Sequence, residues 1–283
     1  RRSEAGAARG AQGGKGMSRA GLTLSVAGHQ VFAGTGGRPF DASLPVVVFL
    51  NGAGMDHSVW SMQSRYLAHH QRAVLALDLP GHGSSAGPPL RSIEEIADWT
   101  AAVLEAAGVA QASLVGHSMG AVAALTAAAR HPQRVQRLAL LGCAPAMPVH
   151  PDLLAAAEAN DPAAIDMVNG WAHGAQAHLG GHPLAGTWLT GQGRRLLERA
   201  APGVLHADLA ACNAWQDGEA LSAKVDCPVL LLIGAEDKMT PPRAGKKLGS
   251  LLSNCRVEVL ERCGHMLMTE RPVETLEKLK GFL

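Results

Sequence analysis

Neither sign of charge is in excess: 25 Lys+Arg stand against 24 Asp+Glu in 283 residues, a formal net charge of +1. Both signs are scattered, so a surface built mainly to grip nucleic acid is excluded. The five cysteines, Cys143, Cys212, Cys227, Cys255 and Cys263, are odd in number and form no C-x-x-C. That argues against a disulfide framework and a structural zinc site. Free thiols suit a reducing compartment, and a cytoplasmic protein is expected. Long apolar runs are missing as well. Stretches such as Val46 to Leu50 and Val229 to Ile233 fall far short of the ~20 residues of a membrane helix, so no membrane partner is expected. There is no G-x-G-x-x-G, no P-loop and no clustered metal-ligand set, so neither cofactor nor metal is implied.

Residues 1–16 are rich in Arg, Ala and Gly, with no apolar period and no hydrophobic stretch of a secretory signal. They read as a disordered extension ahead of Met17, although their arginines also suit an organelle transit peptide. Beyond them, Leu22 to Val26 and Gln30 to Ala33 flank Gly28-His29 as a hairpin. Strands are expected at 45–50, 72–77, 113–115, 135–141, 229–233 and 256–260. Helices are expected at 92–107, with Ser92 and Glu95 as a capping box, and at 121–130, 241–252 and 272–283. Strands apolar on both faces and separated by helices call for a doubly wound, mostly parallel α/β sheet.

That rhythm stops between residues 144 and 224, which show helical patches at 152–158, 162–168 and 194–200 and no strand. So long a stretch is not expected to be a structureless loop. It reads as a helical cap over the carboxyl ends of the strands, where ligands bind in open α/β sheets. The core is then 17–143 together with 225–283.

Gly116-His117-Ser118-Met119-Gly120 lies between an expected strand and an expected helix. A G-x-S-x-G there makes a tight turn that needs its glycines, Gly116 and Gly120, and lifts the serine hydroxyl clear. The Met119 amide is left at the helix N-terminus, where developing negative charge is favoured. A serine needs a base and a group to orient that base. Asp237, beside Glu236, and His265 follow later strands, in the order Ser118, Asp237, His265.

With these residues in place the chain from about 21 to 283 resembles a capped α/β-hydrolase. Asp78-Leu79-Pro80-Gly81-His82-Gly83-Ser84 is similar to that family's D-x-P-G-x-G-x-S turn. Gly234 through Asp237 to Thr240-Pro241-Pro242, and Gly264-His265 with Glu270 and Pro272, resemble its acid and histidine segments. The resemblance selects Asp237 over Glu236 as the acid. It also implies that the amides of Ala53 and Met119 form the oxyanion hole. Asn51-Gly52-Ala53-Gly54 departs from the usual His-Gly at that loop, with Trp60 downstream as in relatives.

The expected activity is hydrolysis of a small or medium carboxylic ester, lactone or thioester through an acyl-enzyme on Ser118. The partner is thus a small-molecule substrate. Alternatives are a carbon–carbon bond hydrolase or lyase, for which Arg194 and Arg195 are the candidate cap arginines, and a ligand receptor of negligible turnover. Met147, Trp171 and Met266 are the candidate substrate contacts, with Trp188 as a further apolar residue of the cap. Trp171, Trp188 and Trp215 each also suit simple packing. His82 and His117 read as structural or pocket-lining, Asp56-His57 as a helix N-cap, and His173, His178 and His182 as too loosely spaced for a metal.

Overall fold

Five consecutive apolar residues, Val46–Leu50, form a strand buried on both faces. Alternate side chains of a strand point to opposite faces, and here they feed two different clusters. Val46, Val48 and Leu50 pack with Ile93, Ile96 and Val122. Val47 and Phe49 pack with Trp60, Leu67 and Leu279. Each side chain fully buried in this way contributes roughly 1.5–3 kcal/mol relative to exposure.

The computed structural model describes residues 21–182 and 184–283. The extension expected at 1–16 lies outside the described residues. The strands are β1 (Gly21–Val26), β2 (His29–Gly34), β3 (Val46–Leu50), β4 (Ala73–Leu77), β5 (Ala112–His117), β6 (Val135–Leu141), β7 (Val229–Gly234) and β8 (Cys255–Leu260). They form one eight-stranded sheet in the order β1-β2-β4-β3-β5-β6-β7-β8. β1 pairs antiparallel with β2, as the hairpin reading predicts, and β2 antiparallel with β4. From β4 to β8 every pairing is parallel. Ala27 and Gly28, both at positive φ, make the hairpin turn.

The chain leaves β3 toward β4 on one side and later places β5 on the other side of β3. The carboxyl ends of β3 and β5 therefore flank the point where strand order reverses, the crevice in which open α/β sheets bind ligands. The Asn51–Gly54 loop and Ser118 follow these two strands.

Observed elements differ from expectation mostly at their ends. β5 runs over six residues, and the next helix begins at Met119, not at residue 121. Ser92 accepts a bond from the Glu95 amide, but the Glu95 carboxylate returns to Arg91 N at 2.7 Å, one residue before the position a capping box uses. Between β6 and β7 lie the helices Pro151–Glu158, Pro162–Ala172, Ala175–His178, Leu189–Leu197, Val204–Ala214 and Gly218–Ser222. The helix expected at 194–200 starts five residues earlier, and Val204–Ala214 is one that sequence reading missed. Its Ala-rich sequence is apolar on several sides, so it lacks the one-sided period that marks a surface helix. Among the described residues no helix is long and apolar enough to cross a membrane.

Candidate active site

β5 ends in Gly116-His117, and the chain reverses into the helix Met119–Arg130 through Ser118, held at φ +53° and ψ −119°. The turn is too tight for side chains on its glycines. A Cβ on Gly116 would lie 2.2 Å from Gly120 O, and one on Gly120 would lie 2.4 Å from Leu50 O. A non-glycine residue at positive φ is strained by about 1–3 kcal/mol, and Ser118 is kept there by its surroundings. Its amide donates to Leu141 O at 2.9 Å, and its carbonyl accepts from Ala121 N and Val122 N.

Asp237, just beyond β7, is buried and bound on several sides. Oδ2 accepts from His265 Nδ1 at 2.7 Å and from the Thr240 hydroxyl at 2.6 Å. Oδ1 accepts from the amides of Met239 and Thr240. Burial pushes its carboxyl up, but the charge and hydrogen bond of His265 and the bonds from Thr240 outweigh it and hold the group below its ordinary 3.8. A carboxyl lowered in the folded state contributes stability above its unfolded value and loses it as pH falls through the folded one. Asp237→Asn should therefore flatten the acid side of the stability curve. Urea midpoints at pH 5 and pH 3 check this, and the wild type should fall further between them than the variant.

With Nδ1 committed to Asp237, the other ring nitrogen of His265, Nε2, is buried with no hydrogen-bond partner among the described residues. The ring is fixed from several directions. A Cβ on Gly142 would come within 2.8 Å of it. The His117 ring packs at 4.7 Å between centroids, and His117 Nε2 donates to His265 O at 3.0 Å. Burial and the neighbouring His265 charge hold His117 down to about 3, so it is a neutral prop.

The helical segment between β6 and β7 is tied to this loop. Ala172 O accepts from His265 N and Met266 N. The buried Glu270 accepts from the amides of Gly174, Gly264 and Met266, and Glu236 accepts from Ala175 N at 2.7 Å. The two neighbouring acids thus do different things: Asp237 meets His265, and Glu236 meets the backbone of the helical segment.

Ser118 and His265 border one cavity of about 400 Å³, together with Ala53 and a wall that includes Met147, Trp171, Leu205 and Met239. Among the described residues that line it the basic ones are His150, Lys238 and His265, and none is acidic. Ala53 N and Met119 N donate to no described residue. Asn51 turns away from this loop, and its amide donates to Leu77 O at 2.7 Å, tying β3 to β4.

Met147 and Trp171 line the cavity, but Met266 does not. It is buried among apolar residues and borders a separate hollow beside Leu189 and Arg199. Trp188 is 70% exposed and Trp215 is buried in the core, so neither forms this wall. Arg194 pairs with Asp166 and Glu198, and Arg195 with Glu198, and both are absent from the cavity wall. Asp56 accepts from Ser58 N, capping a short helix at His57–Trp60, while His57 pairs with Asp78 at 2.8 Å. His173 Nδ1 donates to Asn169 O, and His182 Nε2 to Thr269 O.

A family model described as "Alpha/beta hydrolase family" matches residues 47–278. A "Pimeloyl-[acyl-carrier protein] methyl ester esterase" from Neisseria meningitidis serogroup B / serotype 15 (strain H44/76) is 32% identical over 207 residues, 68% of this chain and 75% of the relative. Its namesake from Aromatoleum aromaticum is 30% identical over 244 residues, 81% of this chain and 94% of the relative. The fold is similar to that of the enol-lactonase from Burkholderia xenovorans LB400. The TM-score is 0.81 at 22% identity, covering 92% of this chain and 99% of that one.

Proposed function

Because the chain belongs to the alpha/beta hydrolase family, we propose that it is a serine esterase with Ser118 as nucleophile, His265 as general base and Asp237 as the group that orients the base. The observation that carries this reading is that Ser118 and the buried, Asp237-bound His265 border a single apolar cavity. Similarity to two methyl ester esterases favours an ester as the bond cleaved.

In the proposed reaction the acyl chain lies against Met147 and Trp171. The Ser118 hydroxyl attacks the ester carbonyl while His265 Nε2 takes its proton. That contact closes as substrate arrives, since catalytic hydrogen bonds are often loose in free enzymes. The oxyanion is met by the amides of Ala53 and Met119, which no described residue engages. His265 then returns the proton to the leaving alcohol, and a water activated by the same ring releases the acid. Residues 144–224 act in this scheme as the cap that shapes the acyl pocket. The carbon–carbon hydrolase alternative lacks its arginines at the cavity, as Arg194 and Arg195 are paired elsewhere.

The test is labelling with a fluorophosphonate, followed by kcat/KM on acetyl, butyryl and octanoyl esters. One label per chain and measurable ester turnover are expected; a chain that takes no label is no serine hydrolase. On the same panel Trp171→Ala should shift the preferred acyl length by tens-fold while changing the acetyl rate little, because one or two methylenes of contact are worth about 1–3 kcal/mol. An unchanged profile would show that Trp171 does not touch the acyl chain.

A further inference from the structure

The oxyanion loop is held from outside as well as by its own turn. Gly52 to Met55 make a tight turn, closed by Met55 N donating to Gly52 O at 3.2 Å, with Gly54 at φ +69°. The peptide that follows Ala53 ends in Gly54 N, and this amide donates to Asp208 Oδ2 at 2.8 Å, across 154 residues of sequence. Asp208 belongs to the helix Val204–Ala214, in the segment between β6 and β7, and is 1% exposed. A Cβ on Gly54 would lie 3.1 Å from Leu205 and 3.2 Å from Leu197, so the loop is packed against this helix and the preceding one.

The same Asp208 oxygen is 2.8 Å from Nε2 of His82, which is 3% exposed and lies in the Asp78–Ser84 turn. The other ring nitrogen, Nδ1, is 3.0 Å from Pro80 O. Both nitrogens thus face acceptors, which a ring satisfies fully only when both carry protons. Burial pulls His82 down, but the charge and hydrogen bond of Asp208, the Pro80 carbonyl and the charge of Asp78 overcome it, leaving the ring raised above its ordinary 6.5. The ring is thus wedged between the buried Asp208 side chain and the Pro80 carbonyl, within hydrogen-bond reach of both.

From this geometry we infer that Asp208, held by His82, is a positioning residue for the oxyanion hole: it fixes the peptide next to Ala53 and so aims the Ala53 amide at the reacting carbonyl. The inference rests on the serine esterase reading above. It makes the helix Val204–Ala214 part of the catalytic geometry as well as part of the pocket wall. Misplacing a reacting group by about 1 Å costs around 10²-fold, and an oxyanion donor is worth about 10²- to 10³-fold in kcat.

The experiment compares wild type with Asp208→Leu, of similar size but with no acceptor, and Asp208→Asn, which keeps one. The readouts are kcat, KM, inhibition by an alkylboronic acid and inhibition by the matching carboxylate product. The boronate forms a tetrahedral adduct on serine that places an oxygen in the hole, whereas the product needs only the acyl pocket. Asp208→Leu should lower kcat by about 10²-fold with KM within about threefold, and weaken the boronate as much as it lowers kcat/KM while leaving product affinity unchanged. Asp208→Asn should recover most of the loss, and Asp208→Ala, which removes the acceptor without adding bulk, takes the place of Asp208→Leu if that variant does not fold. Wild-type kcat in the folded acceptor-free variant, or no recovery in Asp208→Asn relative to it, overturns the inference. So does an equal loss of boronate and product binding. Fluorophosphonate labelling of the wild type separates the two levels: an unlabelled wild type overturns the esterase reading and this inference together, whereas a labelled one with indifferent Asp208 variants overturns the inference alone.

Discussion

Ser118→Ala is expected to leave a folded protein that takes no fluorophosphonate label and turns over esters about 10⁶-fold more slowly in kcat. The loss is that large because base and acid act through the nucleophile they serve, and only the oxyanion donors and substrate binding still work without it. Stability should hardly change. The Ser118 hydroxyl makes no hydrogen bond to any described residue, and alanine meets the same strain at φ +53° as serine does. Intact mass after labelling, kcat on one short ester and the thermal midpoint check all three statements. A variant retaining even a hundredth of wild-type kcat would remove Ser118 from the nucleophile's role.

Asp237→Asn should cost about 10⁴-fold in kcat, since an amide can donate to His265 Nδ1 and turn the ring into the wrong tautomer. The adjacent Glu236→Gln should cost less than about threefold, because glutamine still offers an oxygen to Ala175 N, the contact Glu236 makes. Two acids one residue apart thus separate by some three orders of magnitude. Comparing kcat of both variants on one ester decides the matter, and a larger loss in Glu236→Gln would exchange their roles.

The contrast also shows how much was legible in the sequence. The α/β rhythm was readable because buried parallel strands carry unbroken apolar runs, and Val46–Leu50 and Val229–Gly234 keep theirs. The turn at Ser118 was readable because only glycine fits at 116 and 120. Local patterns, however, carry no information about partners far along the chain. Nothing near Asp208 signals that it meets Gly54 and His82, and although the resemblance selects Asp237 over Glu236, no local pattern shows that Glu236 meets Ala175. Met266 and Trp188 stand away from the cavity for a related reason. An apolar residue in sequence near the site can face a different hollow or solvent, and only the path of the chain decides which.

The bonds from Glu236 and Glu270 to residues 174 and 175 bear on how such a protein could diversify. Glu270 serves the backbone of the His265 loop and that of the helical segment with one carboxylate. The segment is therefore a poor unit for recombination. A chimera that imported residues 144–224 from a relative would bring a new pocket wall, but it would replace the matched partners of Glu236 and of the Gly54 amide and one of the three that Glu270 holds. Change by single substitutions at wall positions such as Met147 and Trp171, which carry none of those bonds, is the route that leaves the histidine loop intact.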